Sequence, residues 1–156
     1  MTIIVASKTH RQMAADTLIV GVDWAVEGHA LKIVRGPDGS LGGAAGDSSA
    51  CCEFLAWVEK GRKGKLKRRL FKDCQGLVLT ADGDLLNYGG PVPDKLLGDY
   101  HAIGSGTPWA TAAMGMDHTP EGAVKIAIKP SVACAGEITV LNLDVPASKR
   151  KRRIPK

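Results

Sequence analysis

Thr2 follows the first methionine, and a threonine in that position can act as a nucleophile once Met1 is removed. Its hydroxyl is a poor nucleophile until a base takes the proton. An N-terminal threonine carries such a base, because its α-amine has a pKa of about 8 and is partly neutral in the cell. The small side chain of Thr2 favours removal of Met1 by methionine aminopeptidase. With Met1 retained, the nitrogen of Thr2 is part of an amide and cannot act as the base. By its position alone, Thr2 is better explained as the first residue of a strand.

Other residue types used in acyl transfer also have structural explanations. Lys32 lies in a predicted strand, 29–35, between apolar neighbours, so it either faces solvent or is held there for a specific purpose. Asp16 can be a strand-end acid, and Ser105 can cap a helix. Gly46 can allow a tight turn into a helix, although backbone N–H groups at a helix entry also suit an anion. These residues alone leave the function open.

The four cysteines, Cys51, Cys52, Cys74 and Cys134, have neither metal-ligand spacing nor a plausible disulfide framework. We expect buried structural thiols, with one of the adjacent Cys51 and Cys52 facing the core from a helix. We expect no metal and no cofactor.

The net charge of +5 comes from two short segments. Residues 60–72 hold eight Lys or Arg and residues 149–156 hold six, with no acid in either. The rest of the chain has seven basic residues against all 16 acids, so the body is acidic. The second segment, with KRKRR at 149–153, is more simply a solvated tail than a binding surface for nucleic acid, an acidic partner or an anionic membrane. We therefore expect no membrane partner, and we favour a solvated tail over a nucleic-acid partner.

Turn signals and apolar runs predict the elements that carry these residues. The predicted strands cover 2–8, 12–23, 29–35, 40–45, a 76–88 hairpin around Asp82-Gly83, the first part of 101–106, where strand passes into helix, and 137–143. The predicted helices run from an Asp47 cap to about residue 60, over 106–117, and from Thr119 onward. Pro91, Pro93 and Gly98 indicate a loop. Strands with helices grouped between them favour an α+β protein of packed sheets and helices.

Six segments in a fixed order narrow this further. The chain opens with Thr2-Ile3-Ile4-Val5, continues with Ala14-Ala15-Asp16 and Lys32 in HALKIV, and has Ala44-Ala45-Gly46-Asp47 before a helix. HAIGSGTPWATAAM (101–114) follows, then PEGAVKIAI (120–128) with CAGEITVLNL (134–143). Together these segments resemble the proteasome β-subunit family, most closely the bacterial ATP-dependent peptidase HslV and its short phage-borne relatives. The resemblance covers most of residues 2–60 and 76–143.

The resemblance implies a four-layer αββα sandwich of the N-terminal nucleophile hydrolase type. It implies Thr2 as the nucleophile, Lys32 as a cation that stabilises charge on the threonine oxygen, and Asp16 as the partner of Lys32. It further implies an oxyanion N–H at Gly46 and a serine, Ser105, beside the terminal amine. The expected domain spans 2–144, and 145–156 is expected to be a basic flexible tail.

Two departures from the family pattern stand out. Where the family has an Asp and a Ser before a Gly-Gly pair, this chain reads SVACAG at 131–136, so Cys134 replaces the serine and the acid is missing. The basic run 60–72 also follows a single helix, so the second long helix of the family is missing or reduced. The helical layer is therefore expected to be smaller, and stacking of rings and docking of an ATPase become uncertain.

The resulting hypothesis is a threonine endopeptidase that cleaves peptides or unfolded proteins inside a homo-oligomeric ring, with an ATPase unfoldase as a possible partner. Three alternatives stay open. They are an inactive ring-forming scaffold, a nucleic-acid-associated module that uses the basic runs, and an amidase with a non-peptide substrate. No apolar run approaches the ~20 residues that cross a bilayer, and the N-terminus lacks a secretory pattern, so we expect a cytoplasmic protein.

Overall fold

The computed structural model describes residues 2–21, 23, 25–131 and 134–144. These residues form eleven strands, three α-helices and one 3₁₀ helix. The strands are β1 (Ile3–Ser7), β2 (Gln12–Asp16), β3 (Leu18–Val20), β4 (Val26–His29), β5 (Ile33–Arg35), β6 (Leu41–Gly46), β7 (Cys74–Leu79), β8 (Leu85–Tyr88), β9 (Asp94–Leu96), β10 (Tyr100–Gly104) and β11 (Ile138–Asn142). The helices are α1 (Ser48–Glu59), α2 (Thr107–Gly115) and α3 (Pro120–Ile128), with the 3₁₀ helix at Arg68–Lys72. None of these helices is long and apolar enough to cross a membrane.

Two antiparallel sheets and a separate hairpin carry the strands. The first sheet has the order β10-β1-β2-β11, and the second has the order β5-β6-β7-β8-β9. The hairpin pairs β3 with β4. The protein is thus a mixed α/β structure, as the sequence predicts.

The central strand β1 is buried on both faces, which explains the apolar run over residues 3–6. Successive side chains of a strand point to opposite faces. Ile4 and Ala6 join a core cluster that contains residues of both sheets, whereas Ile3 and Val5 join a second cluster with residues of α2 and α3. Burying a side chain of this size stabilises the fold by about 1.5–3 kcal/mol. Thr2, the residue before β1, is therefore attached to a strand that is packed on both faces.

Helix α1 begins where the sequence predicts. Asp47 is its N-cap and accepts a hydrogen bond from Ala50 N at 3.0 Å. The helix packs on the second sheet through Phe54 and Val58, which lie in a third apolar cluster with Val78 of β7. This cap fixes the start of α1 directly after Gly46, the last residue of β6.

Two predicted strands are each divided in the structure. The run 12–23 forms β2 in the first sheet and β3 in the hairpin, and the run 29–35 ends β4 and then forms β5 in the second sheet. Lys32 consequently lies between two strands, which corrects the prediction of a single strand over 29–35. Each run keeps its β-type composition while it passes from one sheet to another, so composition could not show the break.

Smaller differences concern the edges. The predicted loop after β8 contains the short strand β9, which pairs with β8 at the exposed edge of the second sheet. After α1 the chain forms only the 3₁₀ helix before β7, so the reduced helical content that the sequence predicts is observed. The predicted tail, 145–156, lies outside the described residues.

Candidate functional site

Thr2 lies directly before β1, 8% exposed, against the end of β10. Its backbone nitrogen donates to Ser105 Oγ at 3.3 Å, and Ser105 Oγ donates in turn to the Thr2 carbonyl oxygen at 3.3 Å. Gly104 has a φ of +98°, and a Cβ at this position would overlap the Thr2 carbonyl oxygen. The Gly104-Ser105 pair therefore holds the backbone of Thr2 closely, and Ser105 contacts the nitrogen that becomes the terminal amine if Met1 is removed.

Asp16 and Lys32 form a buried ion pair behind Thr2. Lys32 Nζ donates to Asp16 Oδ1 at 2.9 Å and to the carbonyl oxygen of Leu18 at 2.6 Å. The side chain of Asp16 is 0% exposed and that of Lys32 is 9% exposed. A buried charge is tolerated only where it is paired and hydrogen-bonded, which both groups are here.

The same carboxylate also fixes the backbone next to Thr2. Asp16 Oδ1 accepts the backbone N–H of Ile3 at 2.9 Å, and Oδ2 accepts that of Ala135 at 3.3 Å. Asp16 thus joins the Lys32 ammonium, the residue that follows Thr2 and the segment before β11. These contacts satisfy the buried carboxylate and fix its orientation.

Gly46 is placed with its N–H on the side of Lys32. Asp47 N donates to Asp73 O at 2.7 Å, whereas Ala44 N donates to Lys32 O at 3.2 Å. Because N–H groups of a strand alternate between its two neighbours, the N–H of Gly46 points as that of Ala44 does, away from β7. Gly46 has a φ of +138°, and a Cβ there would overlap the Asp73 carbonyl oxygen. Only glycine therefore fits at this position. The sequence alone explained Gly46 by a tight turn, and the structure adds that the Asp73 carbonyl oxygen leaves no room for a side chain.

Cys134 occupies the place that the sequence predicts for a supporting serine. Its Sγ lies 3.5 Å from Ser105 Oγ, and its backbone N–H donates to Ser131 Oγ at 3.1 Å. The thiol is fully buried. A cysteine is a weaker hydrogen-bonding group than a serine, so Ser105 has a weaker neighbour here than a hydroxyl would provide.

Thr2, Lys32 and Gly46 line one cavity of about 360 Å³. Most of the other walls are apolar or thiol side chains, with polar groups at the start of α1 and from β4. The remaining lining residues are Leu18, Ile19, Val20, Gly21, Glu27, Ala30, Leu31, Asp47, Ser48, Cys51, Cys52 and Leu55. The five predicted site residues are therefore brought together, three on the cavity and Asp16 and Ser105 in contact with them.

Sequence reasoning missed two features of this site. The first is the Leu18 carbonyl oxygen, which accepts a hydrogen bond from Lys32. Leu18 begins β3 directly after the break at Thr17 that ends β2, and the sequence did not predict this break. Cys51 packs against the third apolar cluster, so one of the pair faces the core as expected. Both residues also line the cavity, with Cys51 only half-buried and Cys52 exposed, which corrects the expectation of buried thiols. The position of Cys51 one helical turn after the Asp47 cap is the signal that could have placed it at the site.

Solved structures of HslV and of a protein named BPH share this fold. HslV from Trypanosoma brucei matches with a TM-score of 0.65 at 20% identity, over 90% of this chain and 99% of that chain. Thiobacillus denitrificans BPH in complex with epoxomicin matches with a TM-score of 0.65 at 15% identity, over 93% of this chain and 100% of that one. A second structure of BPH gives 0.64 at 16% identity, over 92% and 99%. No protein-family model and no curated protein matches the sequence. At these identities the similarity shows the fold alone.

Proposed function

We propose that this chain is a threonine endopeptidase in which Thr2, exposed by removal of Met1, attacks the peptide carbonyl. One observation carries the proposal: the buried Asp16 carboxylate holds both the Lys32 ammonium and the backbone N–H of Ile3, at 2.9 Å each. Replacing such an ion pair by apolar residues often leaves a fold as stable or makes it more so. An ion pair buried beside a threonine and a cavity is therefore better explained by chemistry than by folding.

The residues take the following roles in the proposed reaction. The terminal amine of Thr2 removes the proton of its own hydroxyl, and the oxygen then attacks the substrate carbonyl. The charge on Lys32 disfavours protonation of the amine in the resting enzyme and stabilises the developing negative oxygen. The N–H of Gly46 stabilises the oxyanion of the tetrahedral intermediate.

The second half of the reaction uses the same groups. The protonated amine passes its proton to the leaving amine, which departs and leaves an ester on Thr2. Water then attacks that ester with the amine again as base, and the product acid is released. Ser105, which contacts the Thr2 nitrogen, positions the amine or a water molecule in both halves.

The cavity indicates the class of peptide that fits. Leu18, Val20, Leu31 and Leu55 supply apolar surface, and Lys32 is placed with Thr2 at the reacting end. Apolar surface removed from water contributes about 25 cal/mol per Å². We therefore propose that a medium-sized apolar side chain beside the scissile bond is preferred.

The proposed architecture is the αββα sandwich with a reduced outer helical layer. Three apolar clusters support it, one joining the two sheets, one joining the first sheet to α2 and α3, and one joining the second sheet to α1. We also propose assembly into a homo-oligomeric ring in the cytoplasm, with an ATPase unfoldase as a possible partner. Leu97 and Val92, 95% and 82% exposed beside β9, are apolar surface that an assembly contact would cover.

An inactive ring-forming scaffold is the second candidate. It is favoured by Cys134 in the place of a serine and by the lack of any acid in residues 131–136. In that case the chain would keep the fold and the assembly without turnover.

Hydrolysis of a panel of fluorogenic peptides separates the two candidates. The panel varies the residue before the scissile bond among apolar, acidic and basic types, and it includes the Thr2→Ala variant as the matched control. We expect turnover of the apolar members by the processed wild type and none by Thr2→Ala. Equal turnover by both proteins would refute the assignment of Thr2, and no turnover by the processed wild type would favour the scaffold.

A further inference from the structure

Two cysteines from different elements meet at the wall of the cavity. Cys51 lies in the first turn of α1 and is half-buried, whereas Cys74 is the first residue of β7 and is 6% exposed. Their Sγ atoms lie 4.0 Å apart. Cys51 lines the cavity, so a small reagent that enters the cavity reaches its sulfur.

The backbones that carry these thiols are already joined. Cys74 is the register partner of Gly46, and Asp47 N donates to Asp73 O at 2.7 Å. Cys51 N donates to Asp47 O at 2.8 Å in the first turn of α1. A disulfide has a sulfur–sulfur distance of about 2.05 Å, so the two sulfurs need to approach by about 2 Å. The backbone hydrogen bonds at Asp47 hold the first turn of α1 beside the start of β7, so the movement has to come from the two side chains.

The two thiols differ in their chemical environment. The hydrogen bond with Cys74 lowers the pKa of Cys51 by stabilising its thiolate. The pKa of Cys74 is raised by the same hydrogen bond and by burial. The thiolate is the form that reacts with oxidants. Cys51 also lines the cavity, whereas Cys74 is buried and does not, so Cys51 is the thiol that an oxidant reaches first.

We propose that Cys51 is an oxidation site in the wall of the cavity and that Cys74 is its resolving thiol. A hydroperoxide is the oxidant: the Cys51 thiolate attacks the peroxide oxygen, the O–O bond breaks, and Cys51 becomes a sulfenic acid while hydroxide or alkoxide leaves. Cys74 then attacks the Cys51 sulfur, the S–O bond breaks, and water leaves as the disulfide forms. Two thiols are oxidised, one peroxide is reduced, and a dithiol reductant reverses the reaction.

The bridge changes the shape of the cavity. It draws the Cys51 sulfur from the cavity wall toward β7 and ties the first turn of α1 to the strand that pairs with Gly46. The wall that would contact a substrate side chain is thereby altered, while Thr2, Asp16 and Lys32 keep their contacts. This effect on hydrolysis rests on the proposed function, but formation of the bridge does not.

Peptide mapping under non-reducing conditions tests the bridge directly. The purified wild type is treated with hydrogen peroxide, the remaining thiols are alkylated, and the protein is digested. We expect one cross-linked pair of peptides that contain Cys51 and Cys74, with the loss of two hydrogens and reversal by dithiothreitol. Cys52→Ser, which removes the neighbouring thiol of the same cavity, should give the same pair. Cys74→Ser should instead leave a sulfenic acid on Cys51 that dimedone traps.

Two results would overturn the inference. One is that Cys51 and Cys74 both stay reduced while Cys52 is oxidised, and the other is that dimedone labels Cys74 rather than Cys51. The KM for an apolar fluorogenic peptide gives a separate readout, and we expect it to rise at least severalfold on oxidation of the wild type but not of Cys74→Ser. A bridge in a protein that hydrolyses no peptide would support this inference and count against the proposed function alone.

Discussion

Asp16 and Lys32 lie 2.9 Å apart with both side chains almost fully shielded from water. Lys32→Ala leaves the Asp16 carboxylate buried without its cation, and breaking a buried pair in this way destabilises a fold by about 3–5 kcal/mol. We expect loss of peptide hydrolysis together with a clear fall in the free energy of unfolding, measured by urea denaturation. Lys95→Ala is the matched control, because the Lys95–Asp84 pair has the same 2.9 Å distance on an exposed surface. Exposed pairs contribute about 0–1 kcal/mol, so a similar loss in both variants would contradict the account.

Substitutions at Thr2 test the proposed chemistry without changing the fold. Thr2→Ala removes the hydroxyl, so we expect hydrolysis to vanish while the oligomeric state by light scattering stays unchanged. Thr2→Ser keeps both the hydroxyl and the amine and should retain part of the turnover. The account fails at this point if the serine variant is as inactive as the alanine variant while Met1 is fully removed from both.

Gly46 is required by both its backbone conformation and its surroundings. In Gly46→Ala the Cβ would overlap the Asp73 carbonyl oxygen, so the backbone must shift and the N–H proposed for the oxyanion moves with it. We expect kcat to fall by at least tenfold, with a loss of stability.

Gly28→Ala isolates the strain of a positive φ from this overlap. Gly28 has a φ of +146° but nothing within 4 Å of an added Cβ. A non-glycine residue held in a strained backbone conformation of this kind lowers the stability of the fold by about 1–3 kcal/mol. We expect Gly28→Ala to lose stability to that extent in thermal unfolding and to keep kcat. An equal fall in kcat for both variants would remove the role given to Gly46.

The acid stability of the fold should depend on Asp38. Burial opposes ionisation of this carboxyl, yet hydrogen bonds from Ser40 and Arg62 outweigh it and lower its pKa from 3.8 to about 2. A carboxyl whose pKa is lower in the folded state stabilises the protein above its unfolded pKa, and this contribution is lost as the pH falls.

Urea midpoints measured between pH 5 and pH 2 test this contribution. We expect the wild type to lose stability from about pH 4 down to about pH 2, with the part due to Asp38 missing in Asp38→Asn. Identical slopes for the two proteins would show that the carboxyl contributes nothing. Asp99 acts in the same direction, because hydrogen bonds from Thr9 and Ser7 outweigh its burial and lower its pKa.

The sequence predicted the elements with local signals better than those that depend on pairing. The cap at Asp47, the cap at Thr119 and the 76–88 hairpin carry their signals within a few residues, and all three are observed. The breaks at Thr17 and Lys32 depend on which sheet each half of a run joins, and no local pattern contains that information. β9 has only one apolar residue and is defined by its pairing with β8.

The candidate site shows the same difference between local signals and features that depend on long-range contacts. A resemblance spread over the chain predicts the five site residues, and the structure brings them together around one cavity. The Leu18 carbonyl and the Cys51–Cys74 pair were not predicted, because each arises where the chain changes sheet or where a helix meets a strand distant in sequence. The functional roles of the five site residues stay predictions.

Intact mass before and after treatment with a peptide epoxyketone tests the central claim most directly. Such a reagent forms its adduct only with a threonine that has both a free hydroxyl and a free N-terminal amine. We expect the purified protein to lack one methionine and to gain a single reagent mass that maps to Thr2, with no gain in Thr2→Ala. A protein that has lost Met1 but gains no mass, or that gains the same mass with alanine at this position, would contradict the assignment of Thr2 as the nucleophile.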